Sequence, residues 1–261
     1  MVGTLILELD GPLVDICLPQ KSNGHKMKSV ALISGGTSGV GLATAQRFVI
    51  GGFDVAICGR TADRLETAKK KILAIDKNRE CLTVVADFSI PNQAIAFAEQ
   101  AIGKFGQVDV LVNAAAVAPM GPFESISVEQ FEETINVNHR SLFYLTQSVW
   151  RSMKEQGRGV VVNISSMAAV SPFTGFSAYG ASKAWLDLLT KALADEGRAH
   201  GLRAYSIRPG TIETPMLRGL FPDYPGDQTL SPESVAELVW QLTQSPWQFS
   251  SGEAISISRQ S

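Results

Sequence analysis

The chain has 261 residues, 45% hydrophobic and 18% charged, with a formal net charge of −2. That describes a soluble globular protein with a sizeable core, and α/β chains of this length are routinely one domain. Near-neutral charge excludes a long-range pull toward nucleic acid or an anionic membrane.

Residues 1–26 stand apart from the rest. Met1 to Pro19 is apolar but interrupted by Glu8, Asp10 and Asp15, and Gln20 to Lys28 is polar. With no basic start and no run of about 18 apolar residues, it fits neither a signal peptide nor a membrane span. A loosely attached extension is expected over 1–26, or an added edge strand through Thr4-Leu5-Ile6-Leu7, followed by one domain over 27–261. Met27 is an alternative start.

The first core strand, Ser29–Ile33, runs into Ser34-Gly35-Gly36-Thr37-Ser38-Gly39-Val40-Gly41 and a helix over 40–50. Glycine permits a tight turn and a close backbone approach to a pyrophosphate. The helix start behind it offers free N–H groups and a positive dipole end. The spacing Gly35-x-x-x-Gly39-x-Gly41 departs from the commoner GxGxxG, but strand–turn–helix is the context that motif requires. Gly35, Thr37, Ser38, Gly39, Val40 and Gly41 are therefore the expected phosphate cradle. The second strand, Asp54–Cys58, ends in Gly59-Arg60 with no carboxylate at its tip. An acidic residue there grips the ribose in NAD-binding folds, whereas a guanidinium can hold a 2′-phosphate in bidentate fashion. Arg60 thus favours NADP over NAD, with Asp63 turned toward a ribose as the opposing reading.

A helix over 62–75, strand Leu82–Ala86, a helix over 91–104 and strand Val108–Val112 continue the alternation. A long helix is expected over 128–156, opened by Ser127 and Gln130 as a capping box. Strand Val160–Ile164, a helix over 177–200, strand Arg203–Ile207, a helix over 232–244 and strand Ala254–Ile257 complete the chain. Ser231-Pro232 gives the last helix an N-cap and a first-turn proline. Most strand candidates are continuous Val-, Ile- and Ala-rich runs, as strands covered on both faces are. The pattern predicts a doubly wound, mostly parallel sheet of about seven strands with helices on both faces. Cys17, Cys58 and Cys81, and His25, His139 and His200, show no metal-ligand spacing, so no metal site is expected. The cysteine usage suits a reducing, cytoplasmic setting.

Within the helix over 177–200, Tyr179-Gly180-Ala181-Ser182-Lys183 places a phenol and an ammonium four apart, on one helix face. A free tyrosine titrates near about 10. A neighbouring positive charge favours the phenolate and brings it toward the range of a useful acid or base. Ser166, thirteen residues upstream, adds a second hydroxyl for a substrate oxygen. Tyr179 is then the candidate acid/base and Lys183 its tuner; an exposed Tyr and Lys on a helix surface is the bland alternative.

From about Lys28 to Ile257, the glycine turn, Ser166 and Tyr179-x-x-x-Lys183, in that order, resemble the short-chain dehydrogenases/reductases. The similarity in type is greatest to 3-oxoacyl-thioester (3-oxoacyl-[acyl-carrier-protein]) reductases. The resemblance implies a Rossmann-type domain moving hydride between a nicotinamide and a carbonyl/alcohol carbon, and the NADP(H) preference read from Arg60 favours the reductive direction. It implies that Asp87 holds the adenine end, Asn113 braces the sheet beside it, and Asn138 holds a water in a proton relay to Lys183. Lys183 would also grip the nicotinamide ribose beside Tyr179. Pro209-Gly210-Thr211-Ile212-Glu213-Thr214 resembles the segment that meets the carboxamide, through the Ile212 backbone and the Thr214 hydroxyl.

Two departures stand out. Asn113-Ala114-Ala115-Ala116 replaces Asn-Asn-Ala-Gly and narrows the space near the cofactor, and Pro215 to Leu230 makes a short lid. The arginines that receive a carrier protein in the 3-oxoacyl type match Gly157 and His200 here, which weakens a carrier-borne substrate. A small carbonyl or alcohol is the expected partner, in an apolar pocket of Met167, Phe173, Phe176 and Met216. Relatives pair the helices here at 128–156 and 177–200. Phe143, Leu145, Trp150, Trp185 and Leu189 on them suggest a homodimer or homotetramer. The alternative reading is a nucleotide-binding redox sensor without turnover.

Overall fold

The computed structural model describes residues 28–244, 247 and 250–259. The extension expected over 1–26, with Cys17 and His25, lies outside the described residues. Among the described residues seven strands form one sheet: β1 (Val30–Ile33), β2 (Asp54–Gly59), β3 (Cys81–Val85), β4 (Val110–Asn113), β5 (Gly159–Ile164), β6 (Leu202–Pro209) and β7 (Ala254–Ile257). Their order is β3-β2-β1-β4-β5-β6-β7 and every pairing is parallel. Eight α-helices accompany them among the described residues: α1 (Gly39–Ile50), α2 (Ala62–Leu73), α3 (Pro91–Phe105), α4 (Val128–Ile135), α5 (Leu142–Gln156), α6 (Ser177–Gly197), α7 (Pro215–Leu220) and α8 (Pro232–Thr243).

Successive strand residues point to opposite faces, so one continuous apolar run feeds two cores. Ile33 and Ile57 join Phe48 of α1, Ile72 of α2 and Val239 of α8 on one face. Leu32 and Leu111 join Phe97 of α3, Leu145 and Met153 of α5 and Leu186 of α6 on the other. Each such side chain contributes about 1.5–3 kcal/mol by leaving water. Burial of both faces is what makes the parallel arrangement hold.

Two departures from the expected elements bear on function. The helix expected over 128–156 is interrupted by a π-helical turn, Asn136–Ser141, between α4 and α5. The cause is Asn138, whose buried amide accepts from the Val117 N–H at 2.9 Å and donates to the Val117 carbonyl and the Ser182 hydroxyl, each at 2.9 Å. A wider turn lets that side chain reach sideways rather than along the helix. The second departure is α7, inside the lid. Thr214 caps it, accepting from the Leu217 N–H at 3.2 Å, and Pro215 fills its first turn.

Candidate active site

Strand order reverses between β1 and β4, which opens a crevice at their carboxyl ends. A cleft of about 540 Å³ lies there. Gly35 and Gly39 adopt φ of 68° and 51°, left-handed values that glycine reaches without strain. A Cβ at Gly41 would collide with the Gly35 carbonyl oxygen, so the turn folds onto itself only with glycine there. Ser34 ties the turn to the β4 exit: its Oγ accepts from the Ala114 and Ala115 N–H groups at 3.0 and 3.1 Å. That hydroxyl braces the segment from which the expected second asparagine is missing, and Ala114, Ala115 and Ala116 all line the cleft.

The structure brings most of the expected residues to this one cleft. Gly35, Thr37, Ser38, Gly39, Val40, Gly41, Arg60, Asp87, Ser166, Tyr179, Lys183, Pro209, Gly210, Ile212 and Thr214 line it. Asn113 and Asn138 are not among the lining residues. Asn113 is buried behind the wall, donating to Thr146 Oγ1 at 3.0 Å and Asn163 Oδ1 at 2.8 Å, which ties β4 to β5 and α5. Asp87 also turns the chain into α3, its Oδ1 accepting from the Ser89 N–H at 2.9 Å. Thr61 and Arg64 line the cleft beside Arg60, whereas Asp63 does not. Sequence reading missed Arg64, though its position four after Arg60 was the available signal.

At the other end, Ser165 and Ser166 both line the cleft, and the Ser165 hydroxyl donates to the Lys183 carbonyl at 3.2 Å. Lys183 is buried, and its Nζ donates to the Ile164 carbonyl at 2.7 Å and lies 5.6 Å from the Tyr179 ring centroid. Burial pulls the lysine down to about 8, opposed by the Asp187 carboxylate one turn on. Asp187 is itself fixed by the Ser206 hydroxyl and by Arg208, the latter at 2.6 Å.

Tyr179 corrects the expected electrostatics. Burial pushes its phenol above the ordinary value, and Ser166 is the group that draws it back. The Lys183 ammonium donates to the Ile164 carbonyl, and desolvation is the largest influence on the phenol.

Other expectations are corrected too. Of the four apolar residues assigned to the pocket, Met216 lines the cleft, and Met167, Phe173 and Phe176 do not. Phe176 is buried edge-on against Tyr179, ring centroids 5.9 Å apart. Of the residues expected to face a second subunit, Leu145 is core and Trp150, Trp185 and Leu189 pack against that core, which leaves Phe143 exposed. Cys58 and Cys81 are free thiols, both pushed up to about 12 by burial. Among the described residues, no group of three or more His, Cys, Asp or Glu is placed to hold a metal, and no helix is long and apolar enough to cross a membrane.

A parallel sheet whose order reverses beside a glycine turn is the architecture of Rossmann-type dinucleotide-binding domains. The chain belongs to the short-chain dehydrogenase family, whose model, "short chain dehydrogenase", matches residues 29–225. It is therefore an oxidoreductase acting on CH–OH/C=O groups. It is 40% identical over 197 residues to 2-(R)-hydroxypropyl-CoM dehydrogenase of Xanthobacter autotrophicus, covering 74% of this chain and 78% of that one. The crystal structure of a 3-ketoacyl-(acyl-carrier-protein) reductase from Brucella melitensis, complexed with NADH, superposes with a TM-score of 0.79 at 31% identity, covering 88% of this chain and 96% of that one. An actinorhodin polyketide ketoreductase with NADPH gives 0.82 at 27% identity, again over 88% and 96%.

Proposed function

We propose that this chain is an NADP(H)-dependent carbonyl reductase in which Tyr179 gives the proton. The observation that carries the reading is that Ser166, Tyr179 and Lys183 line the same cleft as the glycine turn. The nicotinamide, when bound, supplies hydride to the carbonyl carbon. Ser166 and Tyr179 hydrogen-bond the carbonyl oxygen, and the phenol O–H bond breaks as the new alcohol O–H bond forms. A phenol pushed up by burial keeps its proton at neutral pH, the form that reduction needs. Lys183, still charged below about 8, stabilises the phenolate left behind.

The cradle fits a dinucleotide, since glycine leaves room where a Cβ would collide. Asp87 holds the adenine end, Lys183 the nicotinamide ribose, and Ile212 and Thr214 the carboxamide. Asn138 fixes the path of the proton relay, clamping the Val117 loop to α6 through Ser182, the residue before Lys183. Arg60 and Arg64 receive the 2′-phosphate as paired guanidiniums. Replacing both, Arg60→Ala with Arg64→Ala, is expected to weaken NADPH binding about 100-fold, two charge-assisted bonds being lost. NADH binding should be unchanged. Equal losses for both nucleotides in a fluorescence titration would remove the NADP assignment. NADPH binding without turnover on a broad carbonyl panel would favour the redox sensor over the enzyme.

Exposed Phe131, Phe143 and Leu188 support a homodimer or homotetramer contact on α4 to α6, which a monomeric mass in solution would overturn. Free Cys58 and Cys81 support a reducing, cytoplasmic setting.

A further inference from the structure

Three segments meet around the Tyr179 end of the cleft: 115–127 after β4, 166–180 leading into α6, and 211–231 around α7. The Gly121 N–H donates to the Gly175 carbonyl at 3.0 Å, joining the first two. Phe176 stands 6.2 Å from Phe221, joining the second and third. From the phenol outward, aromatic rings follow one another: Tyr179 to Phe176 at 5.9 Å, Phe176 to Phe221, and Phe221 to Tyr224 at 6.4 Å. Around them apolar surface is left in water, Phe173 being 60% exposed and Met120 and Met216 42% each. Exposed apolar groups gathered beside a reactive hydroxyl suit an apolar ligand.

The charges point the same way. These segments carry Glu124, Glu213, Asp223 and Asp227 but one cation, Arg218. That guanidinium is already committed. Its Nε and Nη2 donate to the two Glu213 oxygens at 2.7 and 2.6 Å, and its Nη1 donates to the Pro222 and Tyr224 carbonyls at 3.0 and 2.7 Å. Four of the five donors a guanidinium owns are thus spent inside the lid. No cation of these segments is left to receive a carboxylate, sulfonate or phosphate, and with Glu213 paired to Arg218 the remaining acids, Glu124, Asp223 and Asp227, leave the segments net negative.

We propose that the substrate is an uncharged, apolar carbonyl compound, alicyclic or aromatic, and that this mouth discriminates against anionic ones, including thioesters on a phosphate-bearing carrier. The inference rests on the reductase reading and narrows its substrate.

Matched ketones test it: 4-butylcyclohexanone against 4-(4-oxocyclohexyl)butanoate, and acetophenone against 4-acetylbenzoate, each with NADPH at neutral pH. The neutral member should exceed its anionic partner in kcat/KM by roughly tenfold or more. Phe173→Arg, which places a cation on the exposed rim, should narrow the gap by raising the anionic member. Anionic ketones turned over as well as their neutral partners would overturn the proposal. Failure of both members across a broad set of such pairs, with NADPH still bound, would instead overturn the reductase reading and this inference with it.

Discussion

Tyr179→Phe is expected to lower kcat for carbonyl reduction by about 10²–10⁴-fold, the usual worth of a positioned general acid. NADPH binding should be unchanged. The substitution removes only the hydroxyl. The ring stays packed edge-on against Phe176, and Ser166 keeps its own hydrogen bond from the Ala168 N–H at 3.1 Å. A loss confined to kcat therefore reports the missing proton donor and not a collapsed pocket. Wild-type turnover by this variant on a confirmed substrate would place the donor elsewhere, with Ser166 as the other hydroxyl at hand.

The second large effect belongs to Lys183. Reduction should fall as pH rises through about 8, where the buried lysine loses its charge. The sign follows from the chemistry: the cation stabilises the phenolate formed as Tyr179 gives up its proton, and the neutral amine does not. Stability should move the other way. The folded lysine titrates at about 8, below the 10.5 it starts from, so over that window the unfolded chain holds the extra proton. Unfolding is then disfavoured progressively as pH rises from the lower value to the upper. Lys183→Met should remove both trends and most of the activity. Asp187→Asn, deleting the carboxylate that opposes desolvation, should shift the fall in activity to lower pH. Rate and denaturant-unfolding profiles of the wild type and both variants check this; a wild-type rate that stays flat well above pH 8 contradicts it.

Much of this was legible in the sequence because its causes are local. The glycine turn shows itself as four glycines in seven residues after an apolar strand, and Tyr179 and Lys183 share a helix face by spacing alone. The continuous apolar runs of β1, β4 and β5 gave away a sheet buried on both sides. What stayed hidden has distant causes. The π-helical turn at Asn136–Ser141 depends on Asn138 reaching Val117 and Ser182, 21 and 44 residues away in the chain. The upward push on Tyr179 depends on burial, which a charge pattern does not contain. Trp150, Trp185 and Leu189 looked like surplus surface because the depth of the second core is a property of the folded sheet. The commitment of Arg218 to Glu213 likewise depends on how the lid folds.

The most direct measurement follows a label. Wild-type enzyme is given NADPH bearing deuterium at both C4 positions and a neutral ketone, in ordinary water. One deuterium per turnover should appear on the carbinol carbon of the product by mass spectrometry, with the hydroxyl proton drawn from exchangeable sites. Product formed without deuterium on that carbon would contradict hydride transfer at this site.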